Sequence, residues 1–288
     1  MRQINFAFRV LLNYASDKNC PFCESKRTEL TQRKRVILHL RTCQGCGLRF
    51  RWPKETAGFA EKFYQHAYQE SGYTTDIPDP ATLNQFISDN FTSSPKNFAL
   101  QIAVLKELLP NGRVLDFGCS WGYGIYQLLN TGYDAFGFEI SRPRAALGRD
   151  QLGVKIIDDL NALNDLPPQS VDGIFASHVL EHLPSTQGVF ELFSKILKPN
   201  GIAVITVPNG GGKQARELGV DWTPLINEKH TLALDRNFFE KNMSSFGFNV
   251  TTLSDPYHPG EIRKAIEQNQ RLAAEGEELM IIAQRSAA

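Results

Sequence analysis

From about residue 111 onward, short apolar runs alternate with stretches of helical polarity. The runs centre on Val114-Leu115, Asp134–Phe138, Val154–Ile157, Val171–Ala176 and Gly201–Val207. Short strands that alternate with helices in this way predict a parallel, doubly wound sheet. Two later strands, Phe246–Leu253 and Glu278–Gln284, flank a polar helix expected near 261–275. The fold class is therefore α/β, a Rossmann-like, seven-stranded, mostly parallel sheet.

Upstream the pattern changes. Arg35–Arg41 alternates apolar and polar positions and predicts a strand, and Gly47–Pro53 predicts a second one ended by proline. Phe59, Phe63 and Tyr64 outline a helical face, followed by Tyr68 and Tyr73. Gly72 and the run Asp76-Ile-Pro-Asp-Pro80 are expected to break regular structure. A helix is expected to resume with Ser94 as cap and Pro95 in its first turn, carrying Phe98, Ile102, Leu105 and Leu109 toward the sheet. The chain divides into a small unit at 1–60, a helical linker and substrate cover at 61–110, and the α/β domain at 111–288.

Composition narrows the class. The 288 residues carry zero formal net charge. That length supports one large or two modest domains. Neutrality gives no global attraction to nucleic acid or anionic membranes. No apolar run approaches the roughly 20 residues of a membrane span. The N-terminal Met1–Leu12 segment is interrupted by polar groups and lacks a small-residue cleavage site, so a packing arm and a cytoplasmic protein are expected.

Four of the five cysteines form two pairs, Cys20-Pro-Phe-Cys23 and Cys43-Gln-Gly-Cys46. Two such knuckles aim four thiolates at one tetrahedral centre, the pattern of a zinc ribbon. Free cysteines or disulfides are the alternative, but nothing else points to secretion. A closed four-sulfur site leaves no position for substrate, so the expected Zn²⁺ is structural. Cys119 lies elsewhere, where a small residue suffices.

Candidate chemistry starts at Arg113-Val-Leu-Asp-Phe-Gly-Cys-Ser-Trp-Gly-Tyr-Gly124, which reads as strand, glycine-rich turn and helix start. Gly118, Gly122 and Gly124 allow sharp turning or close approach of a ligand, and a helix N-terminus behind them offers free N–H groups. Glu139 ends the second strand, where a carboxylate can hold a ribose diol. Asp158 and Asp159 end the third strand, where an acid can accept from an exocyclic amine. A solvated turn is the plain alternative there.

These residues, with Val179-Leu-Glu-His182 and Leu197-Lys-Pro-Asn-Gly201, resemble class I S-adenosylmethionine-dependent methyltransferases, closest in style to the ubiquinone-biosynthesis type, over roughly residues 95–285. One departure is Ser120, where the family has its middle glycine. The resemblance implies that Gly118, Ser120 and Gly122 contact the amino-acid part of S-adenosylmethionine. It places Glu139 on the ribose, and Asp159 before Asp158 on the adenine. Asp116 and Ser177, at the ends of the first and fourth strands, complete the expected cofactor set. The cysteine knuckles, followed by Trp52-Pro53 and Phe63-Tyr-Gln-His-Ala-Tyr68, resemble bacterial sugar C-methyltransferases, in which ribbon and linker cover the substrate side.

A general base is sought among histidines, which titrate near neutrality. His178 follows the fourth strand, His182 one turn later, beside Glu181. His230 lies in a loop after the fifth strand and resembles the proposed base of sugar C-methyltransferases, although Lys229 interrupts their acid–histidine pair. Packing beneath the site is the plain alternative for Glu181-His182. The loop Asn209-Gly-Gly-Gly-Lys213 is expected to act as a lid hinge, with Lys213 and Arg216 available to a phosphorylated substrate. Trp222 is either a stacking wall or core.

The expected activity is methylation, on oxygen or carbon, of a small polar metabolite or sugar precursor. Two alternatives remain. Lys26, Arg27, Arg33, Lys34, Arg35 and Arg41 make the ribbon basic, which suits an RNA methyltransferase docking its substrate there. A solvated basic face explains them as well, and a nucleic-acid partner is not expected. The other alternative is a non-catalytic cofactor-binding module, which the glycine turn and Glu139 argue against.

Overall fold

The structure, a computed structural model, describes Phe6 and residues 10–54, 77–268 and 270–287. The expected N-terminal arm and the aromatic positions 59, 63, 64, 68 and 73 lie largely or wholly outside those residues.

Two sheets organise the chain. The larger has seven strands: β4 (Arg113–Phe117), β5 (Asp134–Phe138), β6 (Ile156–Ile157), β7 (Val171–Ser177), β8 (Leu197–Pro208), β10 (Phe248–Ser254) and β11 (Glu278–Arg285), in the order β10-β11-β8-β7-β4-β5-β6. All neighbours from β6 to β8 pair in parallel, whereas β11 runs antiparallel to both β8 and β10. This is the α/β class the apolar runs predict. The central strands are buried on both faces, so Ile174, Phe175, Ala203, Val204 and Ile205 are each 0 % exposed.

The strand order has one consequence for function. It reverses direction at β4, and ligands of open parallel sheets lie beyond the strands' carboxyl ends at such a point. Because β11 is antiparallel, its first residue lies at that same edge, with Glu278 opposite Pro208.

The smaller sheet has the order β1 (Thr28–Lys34), β2 (Leu38–Cys43), β3 (Arg49–Trp52) and β9 (Leu232–Ala233), all antiparallel. Its fourth strand comes from far down the chain. The phenylalanines follow the same logic: Phe22 and Phe50 pack in one core with Phe190 and Phe238 of the larger unit.

Some local expectations change. The segment Arg35–Arg41 is not one strand. It is the turn of a hairpin and the start of β2, with Arg35 and Val36 at φ 49° and 66°. The Asp-Pro pair at 79–80 starts a helix rather than breaking one. Asp79 accepts from the N–H groups of Ala81 and Thr82, and Pro80 takes the first position of helix Pro80–Ser88. The next helix is Ala99–Leu108, preceded by Phe98, so Ser94 and Pro95 lie in a turn before it. The polar C-terminal helix spans Pro259–Glu267.

Candidate active site

The glycine-rich turn sits between β4 and the helix Tyr123–Asn130. Gly118 has φ +79°, and a Cβ there would lie 2.4 Å from Val179 Cγ2, so no side chain fits. Gly122 has φ +84° and opens the helix. Ser120 is also left-handed, at φ 51°. Its hydroxyl accepts from Arg144 Nη1 at 3.0 Å, and its N–H donates to Glu139 Oε2 at 2.9 Å. Glu139 Oε1 accepts from the Ser141 N–H at 2.7 Å.

Glu139 and Asp116 are both buried beneath the turn, 5 % and 4 % exposed. Burial raises both carboxyls. Glu139 is partly restored by its two backbone N–H donors and Arg144, whereas burial and the charge of Glu139 push Asp116 up to about 8. A carboxylate oxygen holding one N–H retains capacity for a second donor. The Gly118 turn, which lines the cavity, and the carboxylate at the end of β5 therefore suit a cofactor bearing a sugar diol and a cationic amino acid.

The third-strand acids are otherwise engaged. Asp158 pairs with Arg149 Nη2 at 2.8 Å. Asp159 caps the helix Leu160–Asn164 through the Ala162 N–H. Ser177 faces the cavity and accepts from Thr206 Oγ1 at 3.0 Å.

The cavity at the carboxyl edge has a volume of about 630 Å³, within the range of ligand sites. Its lining includes Gly118, Ser120, Tyr123 and Ser177 together with His178, Glu181, His182, Trp222, Pro224, Lys229, His230 and Glu278. The structure thus brings the glycine turn and the predicted histidines to one space.

The three histidines differ in charge. His178 lies between two carboxylates, with Nδ1 3.2 Å from Glu181 Oε1 and Nε2 2.5 Å from Glu278 Oε2. Burial works against its charge, but both carboxylates outweigh it and raise the imidazole to about 10. It is an imidazolium at neutral pH and has no lone pair to give. Burial lowers His182 to about 4, with repulsion from His230 adding to it and Glu181 opposing. Burial likewise lowers His230, against the field of Glu181.

His230 Nδ1 donates to the Pro224 carbonyl at 2.6 Å, and His182 Nδ1 to the Lys229 carbonyl at 3.3 Å. Each ring therefore keeps its lone pair on Nε2. The rings stand edge to face, 4.8 Å between centroids. Burial works against the charge of Glu181, yet His182 and His178 hold its carboxyl at about 2. Its Oε2 is buried without a hydrogen-bond partner. Glu181, His182 and His230 each bring one ligand atom to within 4.8 Å of the others.

Glu278 escaped the sequence reading, as did Tyr257, whose hydroxyl donates to Glu278 Oε1 at 2.6 Å. The only signal for Glu278 was topological: it opens the strand that runs against the rest of the sheet. Two other readings change. Asn209 binds the carbonyls of Ala274 and Gly276 through Nδ2, and Gly210 N–H binds Leu234 O, so 209–212 is a packed turn and not a hinge. Arg216 pairs with Glu275 and lies outside the cavity lining. Trp222 is both wall and core, 6 % exposed within an apolar cluster.

The four knuckle cysteines converge, with Cys20 Sγ 3.5 Å from Cys46 Sγ, Cys23 Sγ 3.6 Å from Cys43 Sγ, and all four within 4.8 Å. Zinc–sulfur bonds of about 2.3 Å at a tetrahedral centre require sulfurs roughly 3.8 Å apart. The cluster fits that ion. Among the ribbon's cations, Arg41 is buried on Thr28 O and Lys34 donates to Ile226 O.

No helix among the described residues is long and apolar enough to cross a membrane. No curated protein sequence matches the chain significantly. A family described as a methyltransferase domain matches residues 93–253. Among solved structures, phosphoethanolamine N-methyltransferase 2 of Haemonchus contortus, with S-adenosyl-L-methionine bound, aligns with TM-score 0.53 at 18% identity, over 83% of this chain and 62% of that one. The PH0226 protein of Pyrococcus horikoshii aligns with TM-score 0.52 at 14% identity, over 76% and 98%. A SAM-dependent methyltransferase of Archaeoglobus fulgidus aligns with TM-score 0.48 at 20% identity, over 72% and 100%. The family match covers more than half of the chain and contains the glycine turn, Glu139 and the three histidines: the chain belongs to the methyltransferase-domain family and is a SAM-dependent methyltransferase.

Proposed function

We propose that the enzyme methylates a small polar metabolite or a sugar or glycan precursor, on oxygen or carbon, within the 630 Å³ cavity. The observation that carries this reading is that one cavity is lined both by Gly118 and Ser120 of the cofactor turn and by a neutral, tautomer-fixed histidine, His230. S-adenosylmethionine supplies an electrophilic methyl on its sulfonium. Gly118, Ser120 and Gly122 would hold its amino-acid end and Glu139 the ribose, with Asp116 and Ser177 completing the set, and Asp159 before Asp158 would take the adenine through a carboxylate oxygen other than the one given to the helix cap or to Arg149.

His230 takes the acceptor's proton at Nε2. The Pro224 carbonyl fixes its tautomer, and the adjacent Glu181 carboxylate favours the imidazolium that forms. His178 stays charged and orients polar groups of the acceptor. The polar lining, including Lys96, Asp255 and Glu277, favours a hydroxylated acceptor over an apolar one. The cysteine cluster binds one structural Zn²⁺.

The test is a screen for S-adenosylhomocysteine release against sugar-nucleotide and metabolite pools. Glu139→Ala is expected to weaken S-adenosylmethionine binding at least about tenfold, since a charge-assisted pair of hydrogen bonds is lost. His230→Ala is expected to lower turnover about 10²-fold or more with cofactor affinity nearly intact. Full turnover without His230, or release only with apolar acceptors, refutes the reading.

A further inference from the structure

Strand β3 pairs with β2 at four positions in the cysteine-bearing sheet, and it also bonds to the loop that carries His230. Arg51 is only 2 % exposed. Its backbone N–H donates to Thr231 O at 2.8 Å. Its Nη1 donates to Asn227 O at 2.9 Å and Glu228 O at 3.0 Å. Those three carbonyls bracket Lys229 and His230. Beyond them, Phe50 pairs with Leu232 and Arg49 with Ala233 as β3 meets β9.

The inner side of the loop is fixed too. Asn227 Oδ1 accepts from the N–H groups of Lys229 and His230, at 2.7 and 2.9 Å. The Thr231 N–H donates to Glu181 O at 2.8 Å. His230 is thus set between a buried guanidinium on one side and the Glu181 backbone on the other. Leu40 of β2 seals the arrangement in one apolar cluster with Trp222, Leu225 and Ile226. Cys43 ends β2 and Cys46 lies just before β3, so the metal knuckle sets the hairpin that presents Arg51.

We propose that Arg51 is a positioning residue: the N-terminal sheet, through this one guanidinium, holds His230 at its working place in the cavity. The inference rests on the catalytic reading of His230 given above. It assigns the sheet a part in turnover and none in cofactor binding, because no residue of β1–β3 lines the cavity. A displacement of about 1 Å at a catalytic group costs on the order of 10²-fold in rate.

The experiment uses the full-length, zinc-loaded protein with Arg51→Met, which keeps the apolar stem and removes the donors. Amide exchange of the peptide spanning 226–233 is expected to rise about tenfold or more, with affinity for S-adenosylmethionine changed less than about threefold and zinc content unchanged. Turnover on an acceptor found by the screen is expected to fall roughly 10²-fold at saturating acceptor. The double variant with His230→Ala is expected to be no slower than His230→Ala alone, because both act through one side chain. Arg51→Lys, which keeps the charge and one donor group, is read the same way and serves if the Met variant does not fold. Unchanged exchange at 226–233, or losses that multiply in the double variant, overturns the inference. Raised exchange with turnover indifferent to His230→Ala leaves the positioning intact and removes His230 as the base, so the two failures are distinct.

Discussion

The serine at position 120 allows two opposing energies to be separated with two substitutions. Ser120 sits at φ 51°, where a Cβ costs about 1 kcal/mol relative to glycine. Its hydroxyl meanwhile accepts from the Arg144 guanidinium at 3.0 Å. Arg144 is 1 % exposed, so solvent screens little of that bond. A hydrogen bond to a charged group contributes about 1.5–3 kcal/mol. Ser120→Ala keeps the strained backbone and loses the bond, and so should cost about 1.5–3 kcal/mol. Ser120→Gly loses the bond but relaxes the backbone, and so should cost about 1 kcal/mol less. The turn's N–H to Glu139 is a backbone group and is present in both variants. Urea unfolding at fixed pH, with slopes compared, reads the difference directly. A Ser120→Gly variant more stable than the parent would show that the Arg144 bond contributes less than the backbone strain costs. An alanine variant at least as stable as the glycine one would show that the backbone stores no strain.

Further outcomes follow from charges and the metal. Folded Asp116 keeps its proton up to about pH 8, whereas the unfolded chain loses it near 3.8, so the folded state binds the extra proton. Stability of the cofactor-free protein should therefore fall as pH rises between those values, by at most about 1.4 kcal/mol per unit, and Asp116→Asn should flatten that slope in pH-dependent melts. The base reading gives a turnover profile whose acid limb lies below 6.5, because burial lowers His230, with no limb from His178 between pH 7 and 9. A rise continuing through pH 8 would contradict both assignments. Cys43→Ser should abolish zinc retention by mass spectrometry and lower the melting temperature, while leaving affinity for S-adenosylmethionine within about threefold. A variant that loses the cofactor as readily as the metal would refute the separation of the two sites.

What the sequence revealed depended on how each feature is encoded. The central sheet was legible because strands buried on both faces carry largely apolar stretches, as in Ile174–Ala176 and Ile202–Val207. The cysteine centre was legible because its geometry needs that spacing. The β1–β2 hairpin was not, since its turn uses Arg35 and Val36 at positive φ, with no glycine or asparagine to mark it. Asp79-Pro80 looked like a break because proline stops a helix from within but favours its first turn, and the two uses share one spelling. Glu278, Arg51 and Arg144 carried no local signal. Each matters through a partner far away in sequence, such as His178 across 100 positions and Asn227 across 176.

The histidines show the same limit at the level of protonation. In sequence His178, His182 and His230 start from the same unperturbed value of 6.5. Their assignments separate only when the neighbours are known. His178 meets two carboxylates, one of them from the final strand, and becomes a fixed cation. The other two give their Nδ1 protons to backbone carbonyls in a buried setting and stay neutral. A charged donor beside neutral acceptors is what acid–base work requires of one cavity. That division depends on Glu278 arriving on an antiparallel strand and on the loop carrying His230 being anchored by β3. Reversing the direction of β11 would take Glu278 away from His178 and remove one of the two carboxylates that hold its charge.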